Sequence, residues 1–427
     1  MSLGVNEKPA LSKWIPLSLQ HLFAMFGATV LVPYLTGLDP ATALFTSGLG
    51  TLIFILCTGG KVPAYLGSSF AYIAVLQLIS KQYGLPYAMG GAVVVGLIYL
   101  LVAGIISLVG VKWLDKILPP VVIGSIIIVI GMGLAPTAVE MAMKGGTGEY
   151  NITFLMIAGV TLVFAIITAT FSKGFLSVIP VLVGIAGGYL FSLTIGQVNF
   201  QPIIDAKMFG TVKFMMPEFN VNAVTAFALV SLVTIAEHLG DVLVISKIVG
   251  KDFYKKPGLH RTLMGDGIAT SVAALFGGPP NTTYGENVGV MAITRVYSVW
   301  VIGGTAVLAI VLSFFQKFGA FIQSIPVPVM GGISIMLFGI IASSGLRTLV
   351  ESGIDYSDKR NLIISSVILV LGIGKAKIAI GQFSLEGMAL AALVGIILNL
   401  VLPHTQSLEP HKHTLEDMEK EIETSEN

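Results

Sequence analysis

Residues 284–295 read YGENVGVMAITR and set a carboxylate and a carboxamide, Glu286 and Asn287, between apolar stretches. A second pair of acids, Glu237 and Asp241 in TIAEHLGDVLVIS, stands four residues apart, which on a helix is one turn on a shared face. Ionised groups are costly in such a segment and usually face a cavity, so a working role is the first expectation. The bland alternative is that this segment meets the cytoplasmic interface and its acids are simply wet. His238, between them in sequence, suits packing or hydrogen bonding as well as proton transfer. Gly285 would let the main chain approach a ligand closely, and a half-helix beginning there would present N–H donors and a positive dipole end. Ser68, Ser69 and Phe70 in VPAYLGSSFAYIAV could do the same from a facing side, and Phe70 could stack on a flat ring or pack as an ordinary aromatic. Carboxylate acceptors and backbone donors in one small pocket suit a planar ligand that alternates N–H and C=O along its edge.

The chain that carries these groups is apolar throughout. Its 427 residues are 55% hydrophobic and only 11% charged, against roughly 25% charged in a soluble domain. No Asp, Glu, Lys or Arg lies between Lys13 and Asp39, Lys81 and Lys112, Lys116 and Glu140, Glu149 and Lys173, Lys173 and Asp205, or Lys317 and Arg347. Each gap can hold one membrane-crossing helix of about 20 residues. Apolar runs are expected to span near 14–36, 40–60, 63–79, 87–110, 117–136, 152–171, 175–195, 221–245, 261–276, 285–295, 297–316, 319–342, 361–374 and 386–403. The fold class is therefore an all-α polytopic membrane protein of fourteen spans. The first run lacks a small-residue cleavage site and is followed by many more, so it reads as a span and not a signal peptide. An even count puts both termini on one side; with the termini cytoplasmic, 17 of the 24 Lys and Arg fall inside, which orients the chain. Residues 1–13 and the polar tail 404–427 then lie in the cytoplasm, and the single cysteine, Cys57, fits a reduced face. A net charge of +1 gives no reason to expect nucleic acid.

Two stretches, LPPVVIGSIIIVI (118–130) and IPVPVMGGISIML (325–337), align without gaps at an offset of 207, and the spans preceding them align at the same offset. VPAYLGSSFAYIAV and PPNTTYGENVGVMAI sit about 216 apart. Two related halves follow, about 14–195 and 221–403. With seven spans each, the second half enters the membrane from the opposite side, the inverted-repeat plan of secondary transporters. The Pro/Gly-interrupted stretches become the third and tenth spans, and a matched pair of short extended breaks is the best pointer to a substrate site.

SLQHLFAMFGATVLVP (18–33), PAYLGSSFAYI (63–73), AEHLGD (236–241) and above all ENVGVMAITR (286–295) resemble the nucleobase–ascorbate transporter family over nearly the whole chain. The last stretch matches that family's signature through Glu286, Asn287, Gly289, Thr294 and Arg295. The resemblance implies a core domain and a gate domain, frequently a homodimer, importing a nucleobase with protons across the bacterial cytoplasmic membrane; no cofactor or metal is implied. Carried over by position, Glu237 and Glu286 would bind the ring through their carboxylates, and Phe70 and Gly285 would offer backbone N–H groups to its carbonyls. His21 and Asn287 would hold the first and tenth spans together, with Tyr284, Ser69 and Ala28 as further support. The position of Asp241 is His in some members and Asp in others, which leaves proton coupling open among Glu237, Asp241 and His238. Purine-selective members tend to carry Gln where this chain has Glu286, so uracil is the expected substrate, with xanthine or uric acid as the alternative.

Other classes fare worse. Aspartyl intramembrane proteases need two Asp in their own Gly-containing contexts, and no metal cluster, P-loop or dinucleotide fingerprint is present, so an enzyme is not expected. An anion transporter or channel on the same inverted plan usually carries a large C-terminal domain, whereas about two dozen residues follow the last span here.

Overall fold

The computed structural model describes residues 2–380 and 383–403; the tail expected at 404–427 lies outside the described residues. In the first half α1 (Leu11–Thr36), α2 (Pro40–Cys57), β1 (Leu66–Ser68), a 3-10 turn (Phe70–Tyr72), α3 (Ile73–Gln82), α4 (Leu85–Val109), α5 (Lys112–Ile117), α6 (Pro120–Lys144), α7 (Ile152–Phe171) and α8 (Pro180–Thr194) follow in order. The short α9 (Gln201–Asp205) leads to α10 (Val221–Val249), α11 (Leu259–Leu275), β2 (Asn281–Thr283), α12 (Gly285–Thr294), α13 (Val299–Ser313), α14 (Gln316–Gln323), α15 (Val327–Glu351), α16 (Lys359–Ile373), a β3–β4 hairpin (Lys377–Ile380, Phe383–Glu386) and α17 (Met388–Val401). The chain is mostly helical, and among the described residues seven helices are long and apolar enough to cross a membrane.

Every apolar run expected from the sequence carries a helix, with shifted bounds. The run expected at 319–342 is divided: Pro326 and Pro328 cannot continue a helix from Gln323, so α14 stops and α15 starts afresh with Pro in its first turn. In the same way α6 begins at Pro120 and continues past the expected 136 to Lys144, through an internal Pro136.

The helices pack in two groups, α1–α4 with α10–α13, and α6–α8 with α15–α17. Each group draws equally on both halves of the chain. The centre of the second group is the α6–α15 pair, two 25-residue helices whose bounds are 207 residues apart. They run antiparallel with their backbones nearly touching. A Cβ at Gly131 would fall 2.4 Å from the Phe338 carbonyl oxygen, one at Gly124 2.6 Å from Leu349 Cγ, and one at Gly331 2.5 Å from the Ala142 nitrogen. The offset that takes Gly124 to Gly331 takes Ala142 to Leu349, so these two contacts are one contact seen twice about a local two-fold. Gly131 and Phe338 are themselves equivalent and lie at the axis.

A second local two-fold passes through the other group, where β1 and β2 pair antiparallel with Leu66 opposite Thr283, Gly67 opposite Thr282 and Ser68 opposite Asn281. Ser69 N donates to Pro280 O (2.9 Å) and Tyr284 N to Tyr65 O (3.0 Å). The step in numbering that takes Ser69 to Tyr284 also takes Tyr65 to Pro280, so these end bonds are equivalent. Both strands are wholly buried, and neighbouring helices complete them. From α2, Ser47 Oγ donates to Leu66 O (2.6 Å) and Thr51 Oγ1 accepts from Leu66 N (2.9 Å); from α11, Thr270 Oγ1 donates to Asn281 O (3.1 Å).

With backbone against backbone at Gly131, a side chain there must push α6 off α15. Gly131→Leu is expected to cost at least the ~1–3 kcal/mol of an overpacked core and to lower the melting temperature of the detergent-purified protein by several degrees. Gly104→Leu, on the open face of α4 where a Cβ meets nothing within 4 Å, should melt with the parent. Equal melting of the two variants would show that the α6–α15 contact has slack.

Candidate functional site

β1 and β2 each release the chain directly into a helix start, β1 into the turn at Phe70 and β2 into α12 at Gly285. The step that relates Ser69 to Tyr284 also relates Phe70 to Gly285, so two equivalent helix N-termini, with their unpaired leading N–H groups, stand at the ends of the strand pair. Gly285 is exposed, and a Cβ built on it would meet nothing within 4 Å, which leaves open space in front of its main chain. Phe70 is half-buried and packs against three separate apolar clusters, where those clusters adjoin.

α10 passes beside both helix starts and supplies the acids. Glu237 and Asp241 are half-buried on one face of it, and Glu286 is half-buried in the first turn of α12. Glu237 and Asp241 both lie within electrostatic reach of Glu286 and of Asp266 on α11. Asp241 accepts a hydrogen bond from Thr283 Oγ1 on β2, which ties α10 to the strand pair. Glu237 Oε2 is buried with no hydrogen-bond partner among the described residues, as are the hydroxyls of Ser68 and Ser69. Buried polar atoms are nearly always paired, so each of these groups keeps hydrogen-bonding capacity that the described residues leave unused.

His238 turns the other way. Its Nδ1 lies 3.0 Å from Asp266 Oδ2, both side chains are fully buried, and its ring meets Phe54 edge to face. The contact has ion-pair distance without hydrogen-bond alignment, since neither atom finds an aligned partner. Behind Glu237, Thr234 Oγ1 takes Tyr99 OH at 2.6 Å and Tyr72 OH at 2.7 Å, a buried hydroxyl cluster that joins α4, α10 and the turn carrying Phe70.

The remaining residues singled out in the sequence support this arrangement. Asn287 Nδ2 lies 3.1 Å from His21 Nδ1 and donates to the His21 carbonyl at 3.1 Å, fastening α12 to α1. Tyr284 OH donates to Ser68 O (3.1 Å) and accepts from Thr29 Oγ1 (3.2 Å); Ala28, the neighbour of Thr29, is buried. Phe70, Glu237, Asp241, Gly285 and Glu286 thus gather around the strand ends, with His21, Asn287, Tyr284, Ser69 and Ala28 behind them and His238 facing away. Sequence reading passed over Asp266, Thr283 and the Tyr72–Thr234–Tyr99 cluster. Asp266 was detectable, being a carboxylate in an apolar segment, but nothing in linear spacing pairs Thr283 with Asp241.

A model of the permease family matches residues 12–381. The chain is 55% identical over 418 residues to the uracil permease of Bacillus subtilis (strain 168), covering 95% of this chain and 96% of that one. It is 46% identical over 425 residues to the uracil permease of Escherichia coli (strain K12), covering 99% and 98%. Among solved structures, the transmembrane domain of a cyanobacterium bicarbonate transporter, BicA, superimposes with a TM-score of 0.65 at 15% identity, over 94% of this chain and 100% of that one, and so shares the fold. This multi-pass membrane protein belongs to the permease family of nucleobase–ascorbate transporters.

Proposed function

We propose that the protein imports uracil together with protons across the bacterial cytoplasmic membrane by alternating access. The observation that carries the reading is the pair of equivalent helix starts at Phe70 and Gly285, with open space in front of Gly285 and with Glu286 within electrostatic reach of Glu237 on α10; in this reading their N–H groups and the two carboxylates share one space. Uracil carries two ring carbonyls and two ring N–H groups on one plane. The backbone donors take the carbonyls, the carboxylates take the N–H groups, and Phe70 covers a face of the ring. His21 and Asn287 keep α12 fixed against α1, while Tyr284, Ser69 and Ala28 shape the strand ends. Relatives at 46–55% identity that carry the name uracil permease support this choice of ring.

In this reading the helices form fourteen spans in two inverted seven-span repeats, about 14–195 and 221–403, broken at β1 and β2 in the third and tenth. The group of α1–α4 and α10–α13 is the core that holds the substrate, and that of α5–α8 and α14–α17 is the gate, paired in a homodimer, with both termini in the cytoplasm. Occluding several carboxylates is expensive, so taking up a proton with the ring lowers the cost of closing the site. Glu237 and Asp241 handle that proton, with His238 and Asp266 as the buried pair behind them.

Three measurements test the reading. Glu286→Gln keeps the shape but replaces an acceptor oxygen by a donor, and losing a charged hydrogen bond costs roughly 1.5–3 kcal/mol, so uracil binding should weaken about tenfold or more; unchanged affinity removes Glu286 from the site. Gly285→Val should fold like the parent, because its side chain meets no protein atom near Cβ, yet lose binding, because it fills the ligand's space; wild-type uptake by this variant contradicts the placement. Labelled uracil uptake should rise as external pH falls, collapse with a protonophore and ignore Na⁺ replacement. Glu237→Gln should abolish concentrative uptake and Asp241→Asn should blunt its pH dependence. Uptake that needs Na⁺ and survives the protonophore would sink proton coupling and leave the ring site standing.

A further inference from the structure

Away from the strand ends, a groove of about 820 Å³ lies between α1, α2 and α13, at the end of the molecule where α1 and α13 begin and α2 finishes. Its walls are apolar, with Leu11 and Ile15 on α1, Leu52 and Ile55 on α2, and Val307 and Leu308 on α13. Leu11, Ile15 and Val307 are at least half exposed. Gly303 leaves the floor bare, since a Cβ there would meet only Ile55 Cδ1 at 3.7 Å. From Val299 to Leu308 the groove follows α13 for ~14 Å at 1.5 Å per residue, about the depth of one leaflet of a ~30 Å hydrocarbon core.

The mouth of this groove is cationic and aromatic. Trp14 and Trp300 meet edge to face with centroids 6.2 Å apart, and Trp14 Nε1 donates to the Trp300 carbonyl at 2.6 Å. Lys8 Nζ stands 5.2 Å from one ring centroid and 5.0 Å from the other, a cation held in place by two π faces. Lys61, exposed, follows Gly60 at the rim. The nearby Glu7 carboxylate accepts a hydrogen bond from the Gly4 N–H of its own loop at 3.0 Å. Paired Trp rings with a lysine at the end of an apolar trough are what the water boundary of a bilayer favours.

We propose that this groove binds one anionic phospholipid, an acyl chain lying along α13 and the phosphate meeting Lys8, with Lys61 further along the rim. On the orientation given above it is a lipid of the inner leaflet. A second copy of the chain fits less well, because a two-fold contact through this face would bring the two Lys8 side chains and their rims together. The lipid headgroup would sit beside the segment whose Leu3 and Val5 hydrogen-bond to residues 295–299, just past the end of α12.

The chain's three tryptophans make the test direct, because two of them line the groove. In a Trp113→Phe background reconstituted into liposomes, brominated-chain phosphatidylglycerol should quench Trp14 and Trp300 at about fivefold lower mole fraction than brominated-chain phosphatidylcholine, the weight of one basic side chain at an anionic surface. Lys8→Ala should remove most of that preference while tails of either lipid still quench. Gly303→Leu, which fills the floor, should reduce quenching by both. Equal quenching by the two headgroups, or indifference to both substitutions, overturns the proposal. So does quenching that disappears as protein density rises, which would assign the groove to a second copy.

Discussion

An unpaired peptide group in an apolar interior costs several kcal/mol, and that cost governs the centre of this molecule. Two segments leave the helical state, at 66–68 and 281–283, and each solves the other's problem by pairing with it. Ser47, Thr51 and Thr270 take up backbone groups that the pair leaves over. Because the strands must meet, the helix starts that follow them must meet too. The donors at Phe70 and Gly285 and the acid at Glu286 are brought together by this backbone pairing rather than by side-chain packing.

α10 turns the strand pair into a chemical site. Thr234, Glu237, His238 and Asp241 occupy little more than two turns of it; Thr234 is held to the tyrosines of α4 and of the Phe70 turn, His238 to Asp266 on α11 and Asp241 to Thr283 on β2, while Glu237 Oε2 is left without a partner among the described residues. A shift of α10 would therefore be felt at once by the strand pair, through Thr283, and by the buried imidazole–carboxylate pair. The α6–α15 pair is built differently, with glycine backbones in contact and no polar group needed between them.

Much of this could be read from the amino-acid order, because in an apolar chain the exceptions carry the information. Charge-free gaps gave the helices; the match between 118–130 and 325–337 anticipated a helix pair that proves equivalent residue by residue. Glu237, Asp241 and Glu286 stood out for the same reason. What could not be read was pairing across the chain. The two broken stretches align at about 216 in sequence, but the bonds at Ser69 and Tyr284 show a register one residue shorter, which is what makes Phe70 the counterpart of Gly285. The pairing of His238 with Asp266 depends on which way α10 is rotated, and apolar periodicity is weak in a helix whose exposed face, with Leu243 and Val244, is as apolar as its buried one. The split of α14 from α15 was masked because the apolar content runs unbroken through the prolines.

The equivalence of Phe70 and Gly285 has a consequence for how a ring can lie. Two donors related by a two-fold suit two carbonyls that flank a single ring N–H, and such an edge looks nearly the same after a half-turn. Backbone alone would thus accept the ring in either of two flipped poses. In the proposed pose side chains would lift the degeneracy, since the step that maps Phe70 onto Gly285 maps Ala71 onto Glu286, and only one of those positions carries a side-chain acceptor. In the proposed binding mode a duplicated scaffold would supply the symmetric half of the recognition, and carboxylates present on one side only would decide the orientation.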